Sequence, residues 1–206
     1  MSEAGFLAAR DVSRETMERL KTYESLLRRW NPAINLVAKS TLDDLWARHF
    51  EDSAQIYDLA PESAEKWVDL GSGGGFPGLV AAILAAGDGR ATTFTLVESD
   101  LRKAAFLSTV ARETGLQVRV MPDRAEVLPP LGADVVSARA LAPLEKLISY
   151  AARHLGPAGT ALFAKGANHA AELAKALESW CFSYQAVVSR TEPDAVIYKI
   201  EGISRV

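Results

Sequence analysis

Cysteine is almost absent from this chain, and Cys181 is the only one among 206 residues. A single cysteine excludes a disulfide bond within the chain and a cysteine-rich metal cluster of the zinc-ribbon type. Such scarcity is typical of proteins that work in a reducing cytosol. We therefore expect a cytoplasmic protein without a metal cofactor.

Long hydrophobic runs are also missing. The longest, residues 78–87, is about half as long as a membrane-spanning helix, which needs roughly 20 residues. The first 20 residues contain acidic side chains and no apolar stretch that leads to a small-residue cleavage site, so we expect no signal peptide. The sequence predicts neither a membrane anchor nor a membrane partner.

A third feature that is missing is an excess of positive charge. The chain has 23 Lys and Arg residues against 26 Asp and Glu residues, and its net charge is −3. Sequence-independent binding to nucleic acid usually depends on a strongly basic surface, so we expect no bulk electrostatic binding of that kind. The apolar fraction of 49% and the charged fraction of 24% are typical of an ordinary globular protein.

The beginning of the chain carries a helical pattern. Apolar residues recur at helical spacing across residues 13–30, and Asn31 and Pro32 predict the end of this helix because proline restricts the residue before it. A second helix is predicted for residues 42–59, with Ser40 or Thr41 as its cap. We expect residues 1–60 to form a helical N-terminal extension.

The pattern changes after residue 60, where short apolar runs alternate with helical stretches, as in a parallel sheet with connecting helices. The predicted strands are residues 66–70, 92–98, 117–121, 133–137, 160–164, 182–189 and 195–201. The predicted helices are residues 77–86, 101–114, 123–127, 143–155 and 168–180. Because only residues 190–194 separate the last two strands, residues 61–206 should form a mostly parallel seven-stranded sheet with an antiparallel C-terminal hairpin edge.

A glycine-rich loop, VDLGSGGGFPG at residues 68–78, follows the first predicted strand. Read from Gly73, it spells the G-x-G-x-x-G of dinucleotide-binding enzymes. The turn glycine should however stand at the strand end, which is Gly71, and counted from there Phe76 occupies the third glycine position. The register that fits is D-x-G-x-G-x-G over residues 69–75, which resembles the loop of Rossmann-like S-adenosylmethionine-dependent methyltransferases.

Two acidic residues end the first two predicted strands. Asp69 can act on the cationic end of S-adenosylmethionine directly or through water, or it can brace the loop by accepting its N–H groups. Glu98 stands about 20 residues past Gly78, the spacing of an acid that binds ribose hydroxyls in dehydrogenases and methyltransferases alike. A nicotinamide enzyme would also need substrate-binding machinery beyond the cofactor half, so the length of the chain favours a methyltransferase.

Several short motifs recur in a familiar order along the chain. They are NPAINLV at 31–37, RHFEDS at 48–53, GSGGGFPG at 71–78, Glu98 with RKAAFL at 102–107, RAE at 124–126, ARALAPL at 138–144, and Lys165 with Gly166. Together they resemble the RsmG family, also called GidB, over nearly the whole chain. The one departure is Arg102, where lysine is common in the family, and it keeps the charge.

The resemblance implies transfer of a methyl group from S-adenosylmethionine to N7 of one guanine, number 527, in the 530 loop of 16S ribosomal RNA. It places Gly71 and Phe76 on the methionine side of the cofactor, Ala125 and Glu126 at its adenine, and Arg139 in the site. With the loop and strand-end residues, the expected cofactor-binding set is Asp69, Gly71, Gly73, Phe76, Glu98, Ala125, Glu126 and Arg139. The expected partner is 16S ribosomal RNA within the 30S subunit or an assembly intermediate, and we expect a monomer.

The chemistry of guanine N7 requires little of the protein, because this atom has an in-plane lone pair and no proton to lose. Alignment and electrostatics then carry catalysis, without a general base. Arg139 and Lys165 are the candidate catalytic residues, since Arg and Lys are the usual donors to guanine O6. The alternatives are that Arg139 braces its loop and that Lys165 is a solvated strand-end lysine.

The N-terminal extension offers further candidates for contact with RNA. His49 can stack on a base or hold Asp52, and it can equally be a structural histidine. The cations that cluster near the turn at residues 31–40 are Arg28, Arg29, Lys39 and Arg48. Nearby acidic residues weaken the interpretation of this cluster as a phosphate-binding face.

Two other functions remain open from the sequence. A small-molecule methyltransferase would share the cofactor half and fits the acidic net charge better. A binding module with the same fold but without catalysis is the second alternative. Label transfer from S-adenosylmethionine to cellular RNA separates the first, and calorimetry with the cofactor separates the second.

Overall fold

The computed structural model describes residues 3–206, and a seven-stranded sheet forms its centre. The strands are β1 (Lys66–Leu70), β2 (Thr93–Val97), β3 (Val118–Met121), β4 (Ala133–Arg139), β5 (Leu155–Lys165), β6 (Trp180–Val188) and β7 (Val196–Arg205). Their order across the sheet is β3-β2-β1-β4-β5-β7-β6. β1 to β5 pair in parallel, while β7 runs antiparallel to both β5 and β6. The predicted mostly parallel sheet with an antiparallel C-terminal hairpin is confirmed.

Seven α-helices surround this sheet in the part of the chain that the structure describes. They are α1 (Glu3–Ala9), α2 (Arg14–Ile34), α3 (Asp52–Asp58), α4 (Gly78–Gly87), α5 (Leu101–Glu113), α6 (Leu144–His154) and α7 (His169–Leu177). A 3₁₀ turn (Lys39–Thr41) and a π-helical turn (Trp46–Glu51) lie between α2 and α3. None of the helices within residues 3–206 is both long enough and apolar enough to cross a membrane.

The predicted end of the first helix before Asn31 is wrong, because α2 continues through Pro32 to Ile34. Pro32 lies in the last turn, where its missing N–H removes a single bond to a carbonyl on the exposed side of the helix. Asn35 then ends the helix in a left-handed conformation, and its N–H donates to the carbonyl of Asn31 at 3.0 Å. The Asn31 side chain fixes the exit of the chain by accepting a hydrogen bond from the N–H of Val37.

The single helix predicted over residues 42–59 is also wrong. The chain forms the 3₁₀ turn first, then the π-helical turn, and only then α3. Thr41 does not cap a helix, since its hydroxyl donates to the carbonyl of Ala38 and lies 2.8 Å from the ring of His49. A π-helical turn is wider than an α-helical one, so it changes which side chains face the sheet.

Two later predictions need correction. Residues 123–127 form a turn rather than a short helix, closed by a hydrogen bond from the N–H of Val127 to the carbonyl of Arg124. The helix predicted over residues 168–180 ends at Leu177, because Trp180 already pairs with Arg205 in the C-terminal hairpin. In the second segment, strand pairing in the hairpin overrides the helical pattern.

The helical extension packs on one face of the sheet. Phe6, Leu20 and Tyr23 are fully buried and belong to the same apolar core as Leu79 of α4 and Phe106 of α5. α6 and the C-terminal hairpin form the second core on the opposite face. A division of the chain near residue 60 stays a prediction, and the extension shares its core with the sheet.

Candidate active site

Three cavities lie at the carboxyl edge of the sheet, around the point where the strand order reverses between β1 and β4. In open α/β sheets this crevice is where ligands bind. The glycine-loop cavity, of about 580 Å³, lies between residues 71–76, the π-helical turn, Glu98 and Arg139. The side cavity, of about 280 Å³, lies between Gly71, residues 123–126 and Tyr150. The Lys165 cavity, of about 450 Å³, lies between Asp52, Arg139, Lys165 and Glu172.

The cavities are neighbours that share walls. Gly71, Ser99 and Leu141 line both the glycine-loop cavity and the side cavity. Arg48, Asp52, Arg139 and Ala140 line both the glycine-loop cavity and the Lys165 cavity. The three cavities thus follow one another along the sheet edge, with the glycine-loop cavity in the middle.

The backbone of the glycine loop has a conformation that residues with a side chain rarely adopt. Gly71 and Gly73 adopt positive φ angles of 64° and 54°. A Cβ atom on Gly71 would also lie 2.4 Å from Leu141 Cδ1, whereas one on Gly73 would meet only the carbonyl of Gly71, at 3.7 Å. Gly71 therefore serves packing and conformation, and Gly73 keeps the floor of the cavity free.

Tyr23 of α2 holds this loop from below. Its hydroxyl donates to the carbonyl of Gly74 at 2.5 Å, and its ring stacks on Phe76 with the centroids 5.2 Å apart. Burial raises the pKa of Tyr23 well above its usual range, so the hydroxyl keeps its proton and remains a donor. The helical extension thus takes part in building the glycine loop.

Asp69 is fully buried and lines none of the three cavities. Oδ1 accepts a hydrogen bond from the Ser137 hydroxyl at 2.7 Å, while Oδ2 lies beside Gly78, and no donor within residues 3–206 makes a well-formed bond to it. Burial raises the pKa of Asp69 to about 6. This position favours the bracing role over direct contact with a ligand, and a cofactor role for Asp69 stays a prediction.

Glu98 borders the glycine-loop cavity and fixes the loop at the same time. Oε2 accepts a hydrogen bond from the N–H of Gly73, and Oε1 accepts one from the N–H of Asp100, each at 2.8 Å. Every carboxylate oxygen has a second lone pair, so Glu98 retains acceptor capacity for a sugar hydroxyl.

Ala125 and Glu126 of the RAE motif lie together at the side cavity, and their contact with an adenine stays a prediction. Ala125 is buried, and its carbonyl accepts a hydrogen bond from Nε2 of His154 at 2.9 Å. Glu126 is exposed and accepts a hydrogen bond from the Tyr150 hydroxyl, which with Lys146 lowers the pKa of Glu126 to about 2. The carboxylate therefore stays charged at the mouth of this cavity.

Arg139 ends β4 and contacts the helical extension rather than its own loop. Nη1 donates to the carbonyl of Arg48 at 2.8 Å, Nη2 donates to Nδ1 of His49 at 2.6 Å, and the guanidinium lies over the Phe76 ring at 5.1 Å. Asp52 Oδ2 is 3.7 Å from Nη1. The structure therefore gives Arg139 a bracing role, and it also places this side chain in the wall between two cavities.

His49 is held as a neutral ring by these contacts. Burial and the two neighbouring arginines lower the pKa of His49 to about 3. Nδ1 accepts the hydrogen bond from Arg139, so the proton resides on Nε2, which lies 2.8 Å from the Thr41 hydroxyl. The ring stacks on Phe76 at 4.9 Å. His49 thus orients Arg139, and it also lines the glycine-loop cavity.

Lys165 ends β5 and is not a solvated lysine. Nζ donates to the carbonyl of Ala142 at 3.0 Å and pairs with Glu172 at 2.6 Å, and only 10% of the side chain is exposed. Lys165 lines the cavity named after it, whereas Arg139 lines both that cavity and the glycine-loop cavity. The two candidate catalytic residues therefore meet at the Lys165 cavity.

The connection between β6 and β7 packs against the π-helical turn. The hydroxyls of Ser189 and Thr191 donate to Oδ1 of Asp52, and Glu192 pairs with Arg48 at 2.5 Å. The predicted basic cluster is thereby partly neutralised, because Arg28 also pairs, with Glu24 at 2.8 Å. Sequence patterns predicted this connection only as a hairpin turn, yet it forms one side of the cleft.

Known proteins are similar to this chain in sequence as well as in fold. The model of a family described as rRNA small subunit methyltransferase G matches residues 16–196, which include all the cavity-lining residues named above. The chain belongs to this family. The match confirms the resemblance inferred from the order of the short motifs.

Two relatives named "Ribosomal RNA small subunit methyltransferase G" show how much of the chain the family covers. The protein from Ruegeria pomeroyi is 56% identical over 196 residues, which are 95% of this chain and 96% of the relative. The protein from Cereibacter sphaeroides ATCC 17029 is 48% identical over 206 residues, the full length of both. The family resemblance therefore extends through the helical extension.

The fold itself recurs in solved structures. A TehB-like SAM-dependent methyltransferase from Corynebacterium glutamicum superimposes with a TM-score of 0.58 at 16% identity, over 87% of this chain and 97% of that protein. At this identity the likeness concerns the fold alone, and it confirms the Rossmann-like methyltransferase architecture.

Within this methyltransferase fold, two positions at the cleft escaped the sequence patterns. Tyr23 belongs to the apolar stripe of an amphipathic helix, so the pattern predicted a core residue and nothing more. Thr191 lies in a polar turn without any motif. Asp52 could be singled out from the sequence, since it belongs to the RHFEDS motif at residues 48–53.

Proposed function

We propose that the protein transfers a methyl group from S-adenosylmethionine to N7 of a single guanine in the 530 loop of 16S ribosomal RNA. Membership of the rRNA small subunit methyltransferase G family supports this proposal. The observation that carries it is the shared wall at Arg139, because a cofactor cavity and an acceptor cavity must meet where a methyl group is passed between two bound molecules.

The residues of the cleft fit S-adenosylmethionine. The floor of the glycine-loop cavity is backbone, and a Cβ atom on Gly73 would project into space that a ligand can use. Gly71, Gly73 and Phe76 would hold the methionine end, Glu98 the ribose, and Ala125 and Glu126 in the side cavity the adenine. When bound, this cofactor supplies an electrophilic methyl group on a sulfonium.

The residues in the shared wall position the acceptor instead of accepting a proton from it. His49 is neutral, but its Nδ1 lone pair already accepts the hydrogen bond from Arg139. Guanine N7 has no proton to lose, so the reaction requires no general base from the wall residues. Arg139 retains N–H groups for guanine O6, and the buried surroundings strengthen such a bond.

Recognition of RNA must depend on few contacts, since the net charge is −3 and the cations Arg28 and Arg48 are paired with acids. A folded ribonucleoprotein particle presents a defined shape, which a protein can read without a large positive field. We therefore propose the 30S subunit or an assembly intermediate as the substrate, and we expect weak binding to protein-free RNA.

The test is label transfer from radioactive S-adenosylmethionine in three parallel reactions. The acceptors are 30S subunits from cells that lack this modification, the protein-free 16S ribosomal RNA from those subunits, and a small-molecule cell extract. We expect the label in 7-methylguanosine of 16S ribosomal RNA, with subunits methylated at least tenfold faster than free RNA. Label only in the small-molecule extract would establish the alternative enzyme class and overturn the proposal.

A further inference from the structure

The polar groups around the Lys165 cavity differ in how fully they are bonded. Lys165 is tied to Ala142 and Glu172, and Arg48 is paired with Glu192. Arg139, in contrast, uses only two of its five N–H groups in hydrogen bonds to the described residues. Asp52 Oδ2 accepts no hydrogen bond from any residue within 3–206 and has only the distant ion pair with Arg139.

Asp52 is held in place from the side that faces away from Arg139. Its Oδ1 accepts the hydroxyls of Thr191 and Ser189. Oδ2 then faces the guanidinium at 3.7 Å, a separation that an ion pair spans but a hydrogen bond does not. Only 24% of the side chain is exposed, and burial raises the pKa of Asp52. A carboxylate oxygen with a free lone pair on a side chain that is three-quarters buried gains from any N–H donor that enters the cavity.

A hydrogen-bond donor next to an acceptor complements the Watson–Crick edge of one purine and places like groups against the edge of the other. Along its Watson–Crick edge guanine presents O6 as an acceptor, followed by the donors N1–H and the 2-amino group. Adenine presents a 6-amino donor followed by N1 as an acceptor, which is the reverse order. An arginine next to a carboxylate therefore complements guanine with charge-assisted bonds and places like groups against adenine.

We propose that Asp52 is the guanine-specificity residue of this site, accepting from N1–H and the 2-amino group while Arg139 donates to O6. The proposal rests on the proposed function and names which edge of the acceptor base the protein reads. N7 neighbours O6 on the side opposite to N1, so this orientation keeps N7 on the Arg139 side of the base. Arg139 also lines the glycine-loop cavity, from which the methyl group must come.

The test compares guanine with inosine at the target position of reconstituted small subunits. Inosine keeps N7, O6 and N1–H and lacks only the 2-amino group. Asp52→Asn preserves the shape and an oxygen acceptor for Thr191, but it replaces the second oxygen by an N–H donor. We expect the wild type to methylate guanine about tenfold faster than inosine, as measured by kcat/KM. In Asp52→Asn the rate on guanine should fall about 50-fold, and the guanine-to-inosine ratio should fall below about twofold.

Thr191→Val is the matched control, because it removes a hydroxyl that holds Asp52 and leaves the carboxylate itself intact. Its rate should fall only a few-fold, with the tenfold preference for guanine retained. Calorimetry with S-adenosylmethionine shows whether each variant still binds the cofactor as tightly as the wild type does.

A tenfold preference for guanine in Asp52→Asn would show that Asp52 only positions the β6–β7 connection, and would overturn the inference. If Asp52→Asn does not fold, the wild type alone decides, since equal rates on guanine and inosine exclude recognition of the 2-amino group. Failure of the proposed function looks different, because the wild type would then form no 7-methylguanosine on the guanine-containing subunits.

Discussion

The two cavities that meet at Arg139 are built from different kinds of groups. The floor of the glycine-loop cavity is backbone, held by hydrogen bonds from Tyr23 to the Gly74 carbonyl and from the Gly73 N–H to Glu98. The Lys165 cavity is walled by charged side chains that pair across elements, such as Lys165 with Glu172 and Arg48 with Glu192. Backbone shape therefore sets the floor of the first cavity and charged pairs set the walls of the second, so substitutions in the two places should act on different steps of the reaction.

Gly73→Val is expected to have the largest effect, confined to the glycine-loop cavity. The new side chain fills the floor where a cofactor would lie, and cofactor affinity measured by calorimetry should fall at least about 100-fold. Gly115→Val is the matched control, because Gly115 has a similar positive φ of 67° and open space around it, away from the three cavities. Both variants should lose about 1–2 kcal/mol of stability from backbone strain. Equal cofactor affinity in the two variants would contradict the placement of the cofactor.

Arg139→Ala tests the shared wall, where shape and charge meet. Methylation of 30S subunits should fall about 100-fold, while cofactor affinity falls less than tenfold, because the methionine end is held by the loop. Arg139→Lys keeps the charge but not the planar fork, and it should recover less than a tenth of the activity.

A lowered melting temperature in Arg139→Ala without a matching loss of methylation would leave only the bracing role for this residue. A melting curve and a label-transfer assay on the same preparation decide between the two.

Tyr23→Phe examines how far the extension supports the backbone-built cavity. Loss of the hydroxyl leaves the Gly74 carbonyl without its donor, so the free energy of unfolding should fall by about 1–2 kcal/mol and cofactor affinity several-fold. Tyr57→Phe removes a comparable bond to Asp88, away from the cleft. It should lower stability similarly in a urea titration and leave cofactor affinity unchanged. A loss of affinity in Tyr57→Phe would mean that the effect is not local to the loop.

The smallest expected effect is on the pH dependence of stability, where His49 and Asp69 act in opposite directions. The pKa of His49 is lowered to about 3, so the unfolded chain binds a proton that the folded chain does not, and stability falls as the pH drops below 6.5. The pKa of Asp69 is raised to about 6, so its contribution is present at low pH and lost as the pH rises from 3.8 through 6.

Urea titrations between pH 6.5 and 5.5 can separate the two groups. Relative to the wild type, His49→Gln should gain about 1 kcal/mol of stability over this interval as the pH falls, because the proton uptake of the unfolded state at residue 49 is removed. Asp69→Asn should show a relative change of the opposite sign. Parallel profiles of stability against pH for all three proteins would mean that folding shifts the pKa of neither side chain.

Sequence patterns placed the glycine loop, Glu98 and the RAE motif at one edge of the sheet, because each of them follows a strand of the same parallel sheet. They missed Tyr23, which lies 51 positions before Gly74. The glycine register, Glu98 and the RAE motif all follow strands whose ends were predicted within one residue. Parallel strands bring their carboxyl ends to one edge, so the three features had to meet there. Asp69 shows the limit of this reasoning, because its position at the strand end is right but its side chain is buried beneath the loop.

The charged half could not be predicted in the same way. Arg139 contacts Arg48 and His49, about 90 positions earlier in the chain, and Asp52 is held by Thr191, 139 positions later. No local pattern encodes contacts at such separations. The π-helical turn was equally invisible, since periodicity over residues 42–59 predicts an ordinary helix and cannot register one widened turn.

That widened turn also determines the direction in which Asp52 points around the helix axis. Each residue advances a helix by about 100° around its axis, so removing any one residue from Trp46–Glu51 would rotate Asp52 by roughly that angle relative to the segment before it. Its carboxylate would leave Arg139 even where the deleted residue, such as Ala47, contributes no side chain to the three cavities. Relatives of this protein should therefore tolerate exchanges within the turn more readily than changes in its length, and a one-residue deletion there should abolish activity while α3 still forms.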